Sequence, residues 1–181
     1  MSVRSSALLW RRLGTSARSF TGVMKPISPA SREYVEALQR LLALSDADAA
    51  TVQRKVRGKS LGLGNLEPKL AYLETRLALS REQLCKVVVA MPTLLGYSVD
   101  ANLEPKLVFY ADALRLDKAG LAAFVCRFPT ALGYSLAKRL RPRYDACVQA
   151  GMTVDLPVMN VIMVNSDDKF QRFLNKQAAR E

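Results

Sequence analysis

The string Asn65-Leu66-Glu67-Pro68-Lys69-Leu70 returns as Asn102-Leu103-Glu104-Pro105-Lys106-Leu107, an offset of 102 − 65 = 37 residues. A second string keeps that offset. Met91-Pro92-Thr93-Leu94-Leu95-Gly96-Tyr97-Ser98 returns as Phe128-Pro129-Thr130-Ala131-Leu132-Gly133-Tyr134-Ser135. A third, weaker copy of the first string follows at the same distance: Arg139-Leu140-Arg141-Pro142-Arg143-Tyr144. Two separate motifs sharing one period restrict the chain to a stacked array of repeats.

Each unit reads as helix, helix, short turn. Asn65 is placed to cap the first helix, because its side chain accepts from free amides. Glu67 then suits the positive pole of the helix, and Pro68 falls where a missing N–H costs little. Leu66, Leu70, Leu73 and Leu77 form one apolar stripe. The second copy has Leu103, Leu107, Tyr110 and Leu114 there, and the third has Leu140, Tyr144 and Cys147. Ser80 opens the next helix with Glu82 and Gln83 behind it as a capping box. Its apolar positions, Leu84, Val87, Val88 and Met91, match Leu121, Phe124, Val125 and Phe128. Pro92 and Pro129 stop that helix, because the residue before a proline avoids the helical region. The apolar stretch that follows suits a single 3₁₀ turn closed by glycine. Neither helix can bury its stripe alone, so units must stack. The expected architecture is all-α: an α-solenoid of helix–helix–3₁₀ repeats with a period of 37 residues, forming a curved superhelical array.

The array has atypical ends. Ser31 is read as the cap of a leading helix through Tyr34, Val35, Leu38, Leu41 and Leu42, and Ser45-Asp46 opens a second helix to about Arg57. Towards the other end, Gly151 closes the third unit's first helix. Ser166-Asp167-Asp168 opens a last helix whose Phe170, Phe173 and Leu174 should cover the open core.

Residues 1–20 carry Arg4, Arg11, Arg12 and Arg18, five serines and no acid. That is the composition of an organellar transit peptide, and Arg18-Ser19-Phe20 before Thr21 resembles a mitochondrial processing site. A basic tail that binds a partner directly is the weaker reading. Residues 21–31, with Pro26, Pro29 and Gly22, are read as a linker, and residues 32–177 as the repeat domain. The whole chain has a formal charge of +11, and loss of residues 1–20 leaves 11 − 4 = +7. A basic balance of this size points to an anionic partner.

The chain has no histidine, which removes histidine acid–base catalysis, histidine metal ligation and Ser-His or Cys-His pairs. Cys85, Cys126 and Cys147 are widely spaced and match no metal pattern. They are expected as small buried apolar side chains in a reducing compartment. No glycine-rich phosphate loop follows a strand. The chain is therefore read as non-enzymatic, with no cofactor, metal, small-molecule substrate or membrane span.

The 37-residue unit with its proline-terminated second helix resembles the mitochondrial transcription termination factor (mTERF) family. The segment from Pro129-Thr130-Ala131-Leu132-Gly133-Tyr134-Ser135 to Arg143-Tyr144 is similar to that family's most recognisable stretch. Ser166-Asp167-Asp168-Lys169-Phe170 is similar to its common ending. The resemblance covers roughly residues 44–175. It implies an organellar α-solenoid with a basic concave face that binds DNA or RNA. The chain departs from the family in holding about three to four units, fewer than full members have. That bears on sequence-specific termination more than on nucleic-acid binding.

The expected contact residues follow from the repeat. Lys69, Lys106 and Arg143 occupy one position in three successive units. Stacked at about 10 Å, they would line up as a ladder for a phosphate backbone. A cation in a helix's first turn opposes the dipole, so three of them call for a reason, although repeat ancestry alone could supply one. The densest patch is Lys138, Arg139, Arg141 and Arg143, with Arg127 near it. Arg141 stands where the earlier copies have Glu67 and Glu104. Tyr97 and Tyr134, at matching turn positions, suit either base stacking or packing between units, the latter being the commoner use. Arg54-Lys55-Val56-Arg57-Gly58-Lys59, four cations without an acid, is read as a solvated helix end ahead of a phosphate-contacting patch.

Three functions follow. The first is a nucleic-acid-binding protein of organellar gene expression, acting on double-stranded DNA or structured RNA in transcription regulation, termination or RNA processing. The second is a structural rRNA-binding component of the mitochondrial ribosome, in contact with its proteins. The third is a protein-binding helical scaffold. The expected location is the mitochondrial matrix, ahead of a plastid.

Overall fold

The computed structural model describes residues 28–56 and 66–178. Nine α-helices lie within them: α1 (Pro29–Leu42), α2 (Asp46–Val56), α3 (Leu66–Leu77), α4 (Arg81–Ala90), α5 (Glu104–Leu114), α6 (Lys118–Arg127), α7 (Arg141–Gln149), α8 (Leu156–Val164) and α9 (Asp167–Ala178). No strand occurs among the described residues. The anticipated transit peptide, most of the anticipated linker and the cations Arg57 and Lys59 lie outside them.

The repeat unit has the expected form. The stripe residues Leu66, Leu70, Leu73 and Leu77 are all buried, as are Leu103, Leu107 and Tyr110, and Leu140 and Cys147. Burying one such leucine contributes on the order of 1.5–3 kcal/mol, which is why the leucine stripe sets the helix orientation. Ser80 and Gln83 form the capping box of α4. The 3₁₀ turns Pro92–Gly96 and Pro129–Gly133 follow α4 and α6, and their Leu94, Leu95, Ala131 and Leu132 are buried. The second helices stack, α2 on α4 and α4 on α6, while α3 packs on both α4 and α6. Gly133 lies against Met91 of the preceding unit: a Cβ there would come within 2.8 Å of Cε, the flexible tip of that side chain.

The helix starts differ from the expectation. Ser28, rather than Ser31, caps α1, accepting from the Ser31 amide at 3.2 Å. Helix therefore already begins at Pro29, inside the expected linker, and Ser31 is fully buried. Asn102 does not cap the second unit either. The chain turns helical straight after Ser98, whose Oγ accepts from Ala101 N at 3.2 Å, and Ser135 does the same for Lys138 N at 3.1 Å. The first turns, Val99–Leu103 and Leu136–Leu140, are wide, with Leu103 N on Ser98 O and Leu140 N on Ser135 O, both at 3.0 Å. Pro105 and Pro142 explain the widening. A proline inside a helix has no N–H to give and its ring collides with the carbonyl four residues back. A turn closed five residues apart relieves that collision. Asn65 lies outside the described residues.

At the far end Gly151, at φ 69, terminates α7. Ser166 caps α9, and Phe170 is buried with Phe173 and Leu174 partly covered, as a closing helix requires.

Candidate nucleic-acid interface

The seven cations singled out from the sequence divide into two groups. Lys69 Nζ donates to Leu95 O at 2.7 Å, and Lys106 Nζ donates to Leu132 O at 2.7 Å and to Asn102 Oδ1 at 2.6 Å. Each lysine thus holds the 3₁₀ turn that closes its own unit. Arg143 Nη1 donates to Ile162 O and Asn165 O, both at 2.8 Å, and its Nη2 pairs with Asp167. Arg139 Nη1 reaches Met163 O at 2.9 Å. These two arginines cover the carbonyl end of α8, where unpaired oxygens and the negative pole favour a cation.

The phosphate-facing ladder is therefore corrected. Lys106 is 3% exposed and Arg143 6% exposed, and Lys69 and Arg139 are half-buried with their donors on backbone oxygens. A buried carbonyl left without a donor is costly, and that need accounts for a cation at this repeat position. Lys55, read from sequence as a solvated helix end, has the same role: its Nζ donates to Val89 O and Ala90 O, both at 2.8 Å, at the end of α4. Burial holds the Lys106 ammonium below its ordinary pKa.

The second group faces outward. Arg127, Lys138 and Arg141 are exposed, and among the described residues their side chains make no hydrogen bond or ion pair. Arg127 lies over the Phe128 ring at 5.3 Å, and Arg141 over the Phe109 ring at 5.3 Å.

The change from glutamate to arginine at position 141 has a structural partner. Glu104 binds Arg76 through both oxygens, at 2.9–3.1 Å, and also accepts from the Tyr72 hydroxyl. The hydrogen bonds from Arg76 are the main reason its carboxyl sits below the usual carboxylate range. One unit later, Tyr72, Arg76 and Glu104 become Phe109, Ala113 and Arg141. An ion-paired junction is replaced by a cation on an aromatic ring. Aligning the copies at three positions, rather than at one, would have exposed this exchange.

Between the second and third units lies a groove of about 600 Å³. Tyr97, Asn102, Lys106, Tyr134 and Arg141 line it. Lys106 sits over the Tyr97 ring at 4.9 Å and Arg139 over the Tyr134 ring at 5.6 Å, so both tyrosines join the packing between units. A second cleft, of about 330 Å³, lies between α6 and the start of α8 and is mainly apolar.

Residues 28–56 and 66–178 carry 19 Lys and Arg against 15 Asp and Glu, a net of 19 − 15 = +4. The rest of the formal +11 belongs to residues outside them. Cys147 is buried, Cys85 and Cys126 are half-buried, and burial raises all three thiol pKa values. Among the described residues no group of His, Cys, Asp or Glu could hold a metal ion. Likewise, no helix there is long and apolar enough to cross a membrane.

Compared with known protein families, the chain matches the model named mTERF over residues 35–171. No curated protein and no solved structure matches it.

Proposed function

The chain belongs to the mTERF family, a family of nucleic-acid-binding helical-repeat proteins, and from that premise we propose that it is a non-enzymatic factor of organellar gene expression. It engages its nucleic acid through the start of the third unit. The observation that carries this reading is the pair Lys138 and Arg141, both exposed, with no hydrogen bond or ion pair from either side chain among the described residues; Arg141 rests only against the Phe109 ring. Arg127, exposed at the end of α6 beside the apolar cleft, is a third cation without a hydrogen bond or ion pair among the described residues. Three cations give a modest footprint, because phosphate affinity grows with the number of charges neutralised. Such a footprint suits a mitochondrial matrix protein that acts in RNA processing or transcription regulation alongside other components. It is small for a factor that grips a duplex alone.

Retention on labelled RNA and duplex DNA across a salt series tests the proposal. Affinity should fall linearly on a log–log plot, and a salt-independent signal would count against it.

A second reading, a structural component of the mitochondrial ribosome, is favoured by one feature. The apolar cleft lined by Leu114, Leu116, Phe124, Phe128 and Leu156 offers a protein-binding surface besides the basic one. Sedimentation of the tagged protein in mitochondrial lysate separates the two readings, since a ribosomal component travels with the particle.

A further inference from the structure

The groove between the second and third units is lined by residues that change from one repeat to the next. Arg141 and Ala137 line it, whereas the equivalent positions in the preceding unit are Glu104 and Asp100. Tyr97 stands at one wall and Tyr134 at the other, whereas the residue 37 positions before Tyr97 is Ser60. Along the sequence, Glu104 thus gives way to Arg141 and Ser60 to Tyr97 at matching repeat positions.

We propose that this groove is a subsite for one unpaired nucleotide, its base stacked at Tyr97 and Tyr134 and its phosphate on Arg141. The inference rests on the nucleic-acid reading above and names what the third-unit face takes. The volume, about 600 Å³, falls within the roughly 300–1,000 Å³ of small-ligand sites. Aromatic side chains are the usual platform for bases that have left a helix, and every base offers a π-face to them. Neither tyrosine hydroxyl has a hydrogen-bond partner among the described residues. Asn102 adds direction. Its Oδ1 is held by Lys106 Nζ at 2.6 Å, which leaves its amide nitrogen to donate. Arg141 also only donates. The Asn102 amide nitrogen and Arg141 therefore suit the acceptor edge of a base and a phosphate oxygen. A base inside a duplex presents neither its face nor its pairing edge, so the subsite takes a single strand, a bulge or an end.

The test is fluorescence anisotropy of the full chain with labelled single-stranded RNA, single-stranded DNA and a duplex, comparing Tyr134→Leu with Tyr134→Phe. Circular dichroism confirms the fold of each variant. Leucine keeps an apolar side chain and removes the ring, so single-strand affinity should fall roughly tenfold or more. Phenylalanine should preserve it, and duplex affinity should be unchanged in both. Equal effects on RNA and DNA place recognition on base and phosphate, whereas a stronger effect on RNA adds the 2′-hydroxyl; both outcomes support the subsite. If Tyr134→Leu binds single strands as tightly as the parent, or loses duplex affinity equally, the subsite is wrong while the broader function stands. If the parent protein binds no nucleic acid at all, both fall.

Discussion

Lys106 donates to the carbonyl oxygen of Leu132 at 2.7 Å from a position only 3% exposed to solvent. Lys69 holds Leu95 at the same distance one unit earlier. These cations serve the array itself, fastening each first helix to the 3₁₀ turn that closes its unit.

Replacing Lys106 with methionine keeps most of the apolar stem and removes the donor. Hydrogen bonds to charged groups are worth about 1.5–3 kcal/mol, so Lys106→Met should cost about 2 kcal/mol in urea unfolding. Lys69→Met, at a half-buried site, should cost less. Nucleic-acid affinity of folded Lys69→Met should hold, whereas Lys106→Met also releases Asn102 Oδ1 at the groove. An unchanged urea midpoint with weakened binding would make Lys106 a contact residue after all.

The junction between the first two full units can be exchanged for the next one. Glu104→Arg alone sets a second cation against Arg76 and orphans Tyr72, and should cost about 1–2 kcal/mol, because the site is about one-third exposed. Adding Tyr72→Phe and Arg76→Ala rebuilds the Phe109–Ala113–Arg141 arrangement and should recover much of that loss. Additive thermal melts of the three substitutions would show that the positions are not coupled.

Stability should fall at alkaline pH. Burial raises the hydroxyl pKa of Tyr34, Tyr72 and Tyr110 well above the ordinary value, with Tyr72 raised further by Glu104. The unfolded chain releases these protons near pH ~10 while the folded chain keeps them, so the unfolded state binds fewer protons and stability declines from there upward. Tyr34 and Tyr110, both fully buried, each contribute up to about 1.36 kcal/mol per pH unit, and the partly exposed Tyr72 less. Lys106 acts in the opposite sense. Its lowered pKa makes the unfolded state the better proton binder between the folded value and about 10.4, so it adds stability as pH rises through that window. Three tyrosines outweigh one lysine above it. Melting temperature against pH should therefore drop beyond pH ~10, and less steeply in Tyr34→Phe.

Charge reversal at Lys138 and Arg141 should weaken binding without unfolding the chain. Removing one phosphate interaction lowers the log–log salt slope by about 0.7 on single strands and about 0.9 on duplex. Lys138→Glu with Arg141→Glu should thus reduce the slope by about twice that amount, with helicity by circular dichroism intact. An unaltered slope would move the interface elsewhere.

Much of the molecule can be read from the residues in order. The period brings out the unit, because Leu73, Leu84 and Tyr110 recur at helical spacing and must all be buried. Pro92 and Pro129 locate the ends of the second helices, and Ser80 with Gln83 locates a start. Caps whose partner lies three residues away are local, and local geometry is visible in sequence. The wide turns after Ser98 and Ser135 are not visible, because Asn102 and Pro105 satisfy the pattern of an ordinary helix start equally well.

The cations are the least legible. In sequence Lys69, Lys106, Lys138, Arg139, Arg141 and Arg143 are alike, and charge alone assigns them all to a polyanion. Which of them meets solvent depends on where the carbonyl ends of α4 and α8 and of the 3₁₀ turns come to rest, 19–35 residues away along the chain. Periodicity and turn chemistry, acting between neighbours in the chain, determined that this protein is a stack of paired helices. Only packing between units decided which positive side chains are bound to its own backbone and which remain for another molecule, because hydrogen-bond demand at a helix end is met by whatever donor the tertiary fold brings within about 3 Å.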